Sequence, residues 1–247
     1  MTAVVEDTTP QLGGNLDVNG NSIVSVSNGN IAITPNGTGE IQLDGLSWPT
    51  ADGSANQFLQ TDGAGQLSFA EAGGGAWEFI SGQSASNDAT IDFTSFINDT
   101  DFDDYVFIYD NVLPVTDGTD FRMRASIDNG SNFLTTNEYT YVRTTGTAAS
   151  IVQNSGTGGD RFELANTSLG NAANEGTSGQ LFLHKPSATR NTMVHARGVA
   201  YDTIGVITRV ATGGEIITTS AVNAIRFYMA SGNIASGDFR LYGIKKA

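Results

Sequence analysis

Two histidines are the first groups to weigh for chemistry, because an imidazole binds metal ions and transfers protons near neutral pH. His184 and His195 each lie in a strand-like run, and neither is grouped in sequence with other histidines or carboxylates. Metal sites usually take such ligands from close spacings. The sequence also has no phosphate-binding loop, dinucleotide fingerprint or nucleophile elbow. We therefore predict a protein that is not an enzyme, with no catalytic residue, no metal ligand and no cofactor.

The densest acidic cluster lies at residues 98–104, with the sequence NDTDFDD. Oxygen ligands at alternate positions suit Ca²⁺, but the glycine turn and the distal glutamate of an EF-hand loop are missing. We expect a solvated loop that precedes the apolar run at 105–109, and calcium binding stays open as the alternative.

Two pairs of side chains share a face if their segments are strands, because alternate residues of a strand project to the same side. Arg122 and Arg124 would then be placed to hold an anionic sugar, and Tyr139 and Tyr141 to form a stacking platform for a glycan. These four residues are the candidate surface contacts. The alternatives are ion pairs with the abundant aspartates and cross-strand packing of the tyrosines.

The amino-acid composition excludes several classes of binding partner and chemistry. The 247 residues include no Cys, 12 Lys or Arg and 26 Asp or Glu, for a formal net charge of −14. A chain this acidic is a poor partner for nucleic acid, and the lack of Cys excludes thiol chemistry. No apolar run approaches the roughly 18 residues that a membrane span needs, so we expect no membrane insertion. Residues 1–7 do not resemble a signal peptide.

Short apolar strings separated by Asn-Gly turns fill the N-terminal region, which holds no Lys or Arg up to residue 76. Their period-2 alternation predicts strands at 16–18, 23–26, 31–33 and 41–43. Each strand is too poor in apolar residues to form a core alone, so neighbouring chains must cover it. We predict three copies wound about one axis, with a flexible acidic linker as the alternative. The predicted axial core is Leu16, Val18, Ile23, Val26, Ile31, Ile33, Ile41 and Leu43.

The rest of the sequence also predicts strands. Turn sequences around 57–60 and 66–69 predict a hairpin, and the run Gly73-Gly74-Gly75 predicts a hinge. Beyond it, strand-like runs alternate with Asp-Gly, Asn-Gly and Gly-Gly turns, and no amphipathic helix exceeds two turns. The predicted class is all-β, with an N-terminal trimeric β-repeat shaft followed by a C-terminal antiparallel β-sandwich that is jelly-roll-like. The predicted domains are 1–45 for attachment and shaft, 46–76 for hairpin, cap and hinge, and 77–247 for the sandwich.

At both ends the chain resembles fibre proteins of tailed bacteriophages, notably marine ones. Near the N-terminus the resemblance is carried by TPQLGGNLDVNG at 9–20, ITPNGTG at 33–39 and LDGLSWP at 43–49, and it continues through DG at 52–53 and QFLQTDG at 57–63. Near the C-terminus it is carried by AVNAIRFYMASGNI at 221–234 and LYGI at 241–244. Each motif is of low complexity, and their order in one chain makes the resemblance specific.

The resemblance implies a virion structural protein that forms a homotrimer on the particle surface. Its N-terminus would dock on another virion protein of the tail, baseplate or capsid, and its sandwich would face outward to contact a host cell-surface glycan or protein. The candidate residues for that contact are the ones that strand alternation suggests, Arg122, Arg124, Tyr139 and Tyr141. Recognition by loops is expected at 117–120, 129–132, 154–160 and 166–179, because loops on a rigid sandwich vary freely. The alternatives are a capsid- or baseplate-mounted decoration fibre without receptor binding, and a polysaccharide depolymerase.

Overall fold

The structure is a computed structural model that describes residues 13–25, 27, 29–71 and 75–246. These residues form strands, turns and loops without a helix, which confirms the all-β prediction. The chain divides within the glycine run into two compact units, Met1–Gly73 and Gly74–Ala247. No helix long and apolar enough to cross a bilayer occurs in the part of the chain that is described.

Two hairpins contain the strands of the first unit in the part of it that the structure describes. Strands β1 (Gln42–Leu43) and β2 (Leu46–Ser47) pair antiparallel across a turn at Asp44 and Gly45, which both have positive φ. Strands β3 (Gln57–Thr61) and β4 (Leu67–Glu71) form the hairpin predicted from the turn sequences. The first predicted domain boundary, between residues 45 and 46, therefore lies inside the β1–β2 hairpin.

The apolar strings before β1 form no strand in the single chain, as far as residues 13–41 are described. Leu16, Ile31 and Ile33 have 60%, 50% and 63% of their surface exposed, and Ile23 and Leu43 are exposed as well. Val18 and Ile41 are half-buried. Val26, the remaining predicted core residue, lies outside the described residues. This segment therefore presents apolar side chains to solvent instead of packing them in a core of its own.

The second unit contains two antiparallel sheets. An eight-stranded sheet has the order β10-β9-β14-β13-β12-β7-β16-β5, and a four-stranded sheet has the order β11-β8-β15-β6. Their bounds are β5 (Trp77–Asp88), β6 (Thr90–Thr94), β7 (Phe102–Pro114), β8 (Thr119–Ser126), β9 (Tyr139–Gly146), β10 (Ile151–Gly159), β11 (Phe162–Leu169), β12 (Gly176–His184), β13 (Thr192–Tyr201), β14 (Ile207–Ile216), β15 (Ala224–Met229) and β16 (Ile234–Lys245).

Aromatic side chains join the two sheets in one core. Phe227 of the small sheet stacks on Phe121 at 5.9 Å between ring centroids, and it contacts Phe107 and Phe239 of the large sheet at 5.7 and 5.3 Å. All four rings are buried. Because alternate residues of these strands face inward, each strand contributes its apolar side to the space between the sheets. The second unit is therefore sandwich-like.

Three of the predicted recognition loops are partly strand, and the first of them, 117–120, ends in the first two residues of β8. Most of the segment 154–160 belongs to β10, an edge strand, and the ends of 166–179 belong to β11 and β12. Polar and glycine residues are tolerated in β10 because its ladder hydrogen bonds to β9 need no apolar side chain, and one of its edges is unpaired. The loop predictions there were wrong about the backbone conformation.

Candidate functional site

The outer face of the eight-stranded sheet carries a row of apolar and aromatic residues. The strand register places one outward-facing residue of each neighbouring strand side by side across the sheet. From β9 to β5 this central row is Val142, Gly213, His195, Phe182, Val106, Tyr242 and Phe79. Exposed large apolar surface of this kind marks interaction sites more often than the scattered apolar residues of an ordinary surface.

Rings pack along this row. Phe182 stacks on His195 at 4.5 Å with an interplanar angle of 6°, and Trp77 meets Phe182 edge-on at 5.9 Å. Tyr242 lies between Trp77 and Phe79, at 6.1 and 5.7 Å from them. Val106, flanked in register by Phe182 and Tyr242, has no exposed surface although it faces away from the core. The row is therefore a packed layer rather than a set of isolated exposed side chains.

A chain of polar contacts orients His195. The carboxylate of Asp104 lies 3.4 Å from Nδ1 of His184, and Nε2 of His184 lies 3.0 Å from Nδ1 of His195. The second carboxylate oxygen of Asp104 accepts a hydrogen bond from the Lys185 amide at 3.0 Å. With the proton of His184 on the nitrogen that faces Asp104, His184 accepts from His195, and Nε2 of His195 carries a lone pair.

The pKa of His195 is lowered from its ordinary value. Partial burial is the largest cause, and the nearby charges of His184 and Arg197 add to it. Arg197 also lies over the ring of Phe182, with its guanidinium carbon 5.9 Å from the ring centroid. His195 therefore stays neutral to a lower pH than a free imidazole, which keeps its lone pair available.

A cleft opens beside His195, where the central row has no side chain at Gly213. Its volume is about 480 Å³, and its walls come from β9, β12, β13 and β14, including Val142, Met193 and Glu215. Glu215 accepts a hydrogen bond from the side-chain amide of Asn191 at 3.0 Å, through one of its two oxygens. The arrangement combines apolar walls with imidazole, hydroxyl and carboxylate groups, which is typical of sites for small polar ligands.

The predicted tyrosine platform is wrong. Tyr139 is 0% exposed, and its hydroxyl accepts a hydrogen bond from the Ala125 amide at 2.7 Å. Tyr141 is half-buried and packs edge-on against Phe162 at 5.8 Å. The two tyrosines share a face as predicted, but it is the inner face of β9, so the packing alternative holds.

The two predicted arginines form ion pairs with carboxylates of the second unit. Arg122 lies 3.1 Å from Asp120 and 3.3 Å from Glu163. Arg124 pairs with Asp160 at 2.7 Å. These contacts agree with the ion-pair alternative, because each guanidinium already has a carboxylate partner and is only partly exposed.

Glu163 is the most deeply buried acid of this network. It is 0% exposed, and Arg161 donates to it at 2.6 Å in addition to the contact from Arg122. Asp160 pairs with Arg161 and Arg124 at the rim, and its pKa is lowered by these hydrogen bonds and charges in spite of partial burial. The cluster links β8 to the start of β11.

The acidic segment 98–104 is held by local contacts. The side chain of Asn98 accepts hydrogen bonds from the amides of Thr100 and Asp101, and Asp99 accepts one from Ser187. The last carboxylate of the segment, Asp104, contacts His184 as described above. Across the ranges that the structure describes, no group of three or more histidine, aspartate or glutamate side chains is arranged to hold a metal ion.

The sequence pattern places His184 and His195 in separate strands and gives no reason to single out Gly213. No short-range motif marks them, because the pairing of β12 with β13 and of β13 with β14 brings them together. The alternation of side chains along each strand indicates which neighbours share a face with each histidine. It does not indicate that His184 and His195 lie on the same face of the sheet. Comparison of the chain with protein-family models, with curated proteins and with solved structures gives no match.

Proposed function

We propose that this chain is a structural protein of a tailed-bacteriophage virion, a short homotrimeric fibre without enzymatic activity. Its N-terminal repeats form a shaft that docks on another virion protein, and its jelly-roll-like sandwich presents a binding face to the host surface. The observation that carries the proposal is the exposed apolar series at the start of the first unit.

That series is unstable as an isolated surface. Ile31 and Ile33 lie close together in sequence and are both at least half exposed, as are Leu16, Ile23 and Leu43. Full burial of one such side chain contributes about 1.5–3 kcal/mol. Three chains wound about one axis would bury the series in each copy at once, which is how repeats without a core of their own become stable.

The sandwich supplies the second half of the proposal. It has a single aromatic core, so it is rigid enough to hold a recognition surface in fixed geometry. Its two outer faces differ, because the small sheet pairs Arg226 with Asp92 at 2.6 Å, whereas the large sheet carries the aromatic row and the cleft. The large sheet is the proposed binding face.

Solution mass tests the shaft. Light scattering after size exclusion on the full chain is expected to give about three times the 25.9 kDa of one chain. The same measurement over a range of protein concentrations separates a stable trimer from transient association. A mass of one chain at every concentration would overturn the fibre proposal.

One observation favours the depolymerase alternative: Asp104, His184 and His195 form a series of polar contacts beside a cleft. It is tested by incubating the protein with host polysaccharide and measuring new reducing ends. We expect none. Among the described residues that line the cleft, neither a nucleophile nor a pair of carboxylates is positioned to cleave a glycosidic bond. New reducing ends above a heat-inactivated control would replace the non-enzymatic proposal.

A further inference from the structure

The glycine at 213 has no steric cause within the protein. A Cβ placed there would meet no atom within 4 Å, and its backbone is not left-handed. The neighbouring Gly214 is different, because a Cβ there would lie 2.0 Å from the backbone oxygen of Thr140. Glycine weakens a strand, and where the fold does not demand it, it often marks the close approach of a ligand.

The missing side chain is what opens the cleft. Gly213 pairs in register with Val142 on one side and with His195 on the other, and both neighbours project from the sheet. Met193 and Glu215 stand in the next row. The resulting volume of about 480 Å³ lies within the range of small-molecule sites, roughly 300–1,000 Å³.

Polar atoms of the cleft walls are left without protein partners. Oγ1 of Thr140, the second carboxylate oxygen of Glu215 and Nε2 of His195 have no hydrogen-bond partner among the residues that the structure describes. The carboxylate oxygen of Glu215 and Nε2 of His195, in the tautomer described above, accept hydrogen bonds, and a threonine hydroxyl both donates and accepts. A ligand rich in hydroxyl groups satisfies all three.

Charge and shape limit the ligand further. Glu215 lines the cleft and the positive charge of Arg197 lies near His195, so charges of both signs surround the site and it favours neither an anion nor a cation. The apolar walls at Val142 and Met193 suit the C–H edge of a ring. Because this pocket is concave and partly polar, it differs from the flat rings of Trp77, Tyr242 and Phe79 farther along the same face.

We propose that the cleft at Gly213 binds one uncharged sugar ring, with hydroxyl groups directed to His195, Glu215 and Thr140. The inference deepens the proposed function, since it names the ligand class that the binding face takes. It assigns His195 as a ligand-contacting residue and Asp104 and His184 as the residues that orient it.

The test uses the full chain and methyl glycosides of the neutral hexoses and N-acetylhexosamines, with saturation-transfer NMR as the measurement. We expect at least one glycoside to bind the unmodified protein. Gly213→Val should weaken that binding by at least about tenfold, because a branched side chain would occupy the cleft and its Cβ would meet no protein atom within 4 Å. Val199→Thr, an exposed position on the same face and outside the cleft, should leave it unchanged.

A second variant protects the test against a folding artefact. His195→Phe keeps a ring on Phe182 but removes both nitrogens, so it should abolish binding while thermal unfolding stays cooperative. Failure of every glycoside at millimolar concentration, or binding to Gly213→Val as tight as to the unmodified protein, would overturn the inference. Loss of oligomer mass in Gly213→Val would show instead that a second copy occupies the cleft.

The two proposals fail in distinguishable ways. A trimer that binds no glycoside retains the fibre proposal and loses the sugar site. A monomer that binds a glycoside at Gly213 retains the sugar site and loses the shaft.

Discussion

The two units of this chain handle apolar side chains in opposite ways. The second unit packs Phe107, Phe121, Phe227 and Phe239 between two sheets, with almost no exposed surface on any of them. The first unit leaves residues such as Ile31 exposed next to short hairpins. The sandwich thus buries its own apolar side chains, whereas the described residues of the first unit leave theirs in solvent, and for this reason we propose that neighbouring chains cover them.

The strongest test of this contrast is a charge in the exposed series. Ile31→Asp is expected to lower the solution mass from about three chains to one, because a buried carboxylate in a trimer axis lacks a partner. The free energy of unfolding of the sandwich should change by less than about 0.5 kcal/mol. Light scattering and urea unfolding measure the two quantities.

Ile204→Asp is the matched control, because Ile204 is 80% exposed in a turn of the second unit. It should leave both the mass and the unfolding transition unchanged. Normal oligomers of Ile31→Asp would contradict the assignment of this residue to an interface.

The core of the sandwich gives the next largest effect. Phe227→Ala removes a ring that contacts both sheets, and it should lower the free energy of unfolding by about 3–5 kcal/mol. Phe58→Ala, a half-exposed ring of the β3 strand, should cost less than about 1 kcal/mol. Urea unfolding measures both changes. Similar decreases in the free energy of unfolding for the two variants would contradict the proposed difference between the units.

The buried acid of the ion network gives a smaller loss. Glu163→Gln removes the charge that Arg122 and Arg161 share, and it should cost about 1.5–3 kcal/mol. Asp160→Asn changes a carboxylate at the exposed rim of the same network, so its cost should stay below about 1 kcal/mol. Equal costs in thermal or urea unfolding would mean that burial does not distinguish the two acids.

Acidification should produce the mildest effect, confined to the second unit, because both histidines lie there. The pKa of His195 in the folded chain lies below 6.5, its ordinary value, since burial and the charges of His184 and Arg197 disfavour protonation. As the pH falls below about 6.5 the unfolded chain binds more protons, so the free energy of unfolding decreases until the folded pKa is passed.

Urea unfolding between pH 7.5 and 5 measures this slope, and His195→Phe is the variant that should reduce it. Asp104 reaches His195 only through His184, so it contributes to the orientation of the pair rather than to this decrease. An unchanged slope in His195→Phe would assign the pH dependence to other groups.

Much of the strand content could be predicted from the sequence, because apolar runs such as 105–109 and 192–201 are long and bounded by turns. Strand β10 could not be, since Asn154, Ser155 and Gly156 have poor strand propensity and are accepted only by an edge ladder. Alternation within a strand indicates which side chains share a face, but it does not say which face is inside. That ambiguity explains why Tyr139 was assigned to the surface.

The candidate site was even less accessible to sequence reasoning. Gly213, His195 and His184 come from three strands whose pairing is a property of the whole sheet. Asp104 joins them from a strand about 80 residues earlier in the chain, through β7–β12 pairing. Such sites depend on register between distant segments, and register is set by tertiary packing rather than by local pattern.

The position of β16 between β7 and β5 has a consequence for biosynthesis. The hydrogen bond from Ser84 to Asp238 joins residues 154 positions apart, so β5 has no partner in its sheet until the ribosome has released residues 234–245. Until then β7 also lacks one neighbour, and its apolar stretch 105–109 has an open edge that invites aggregation. Closure of the sheet is therefore a high-contact-order event that waits for β16.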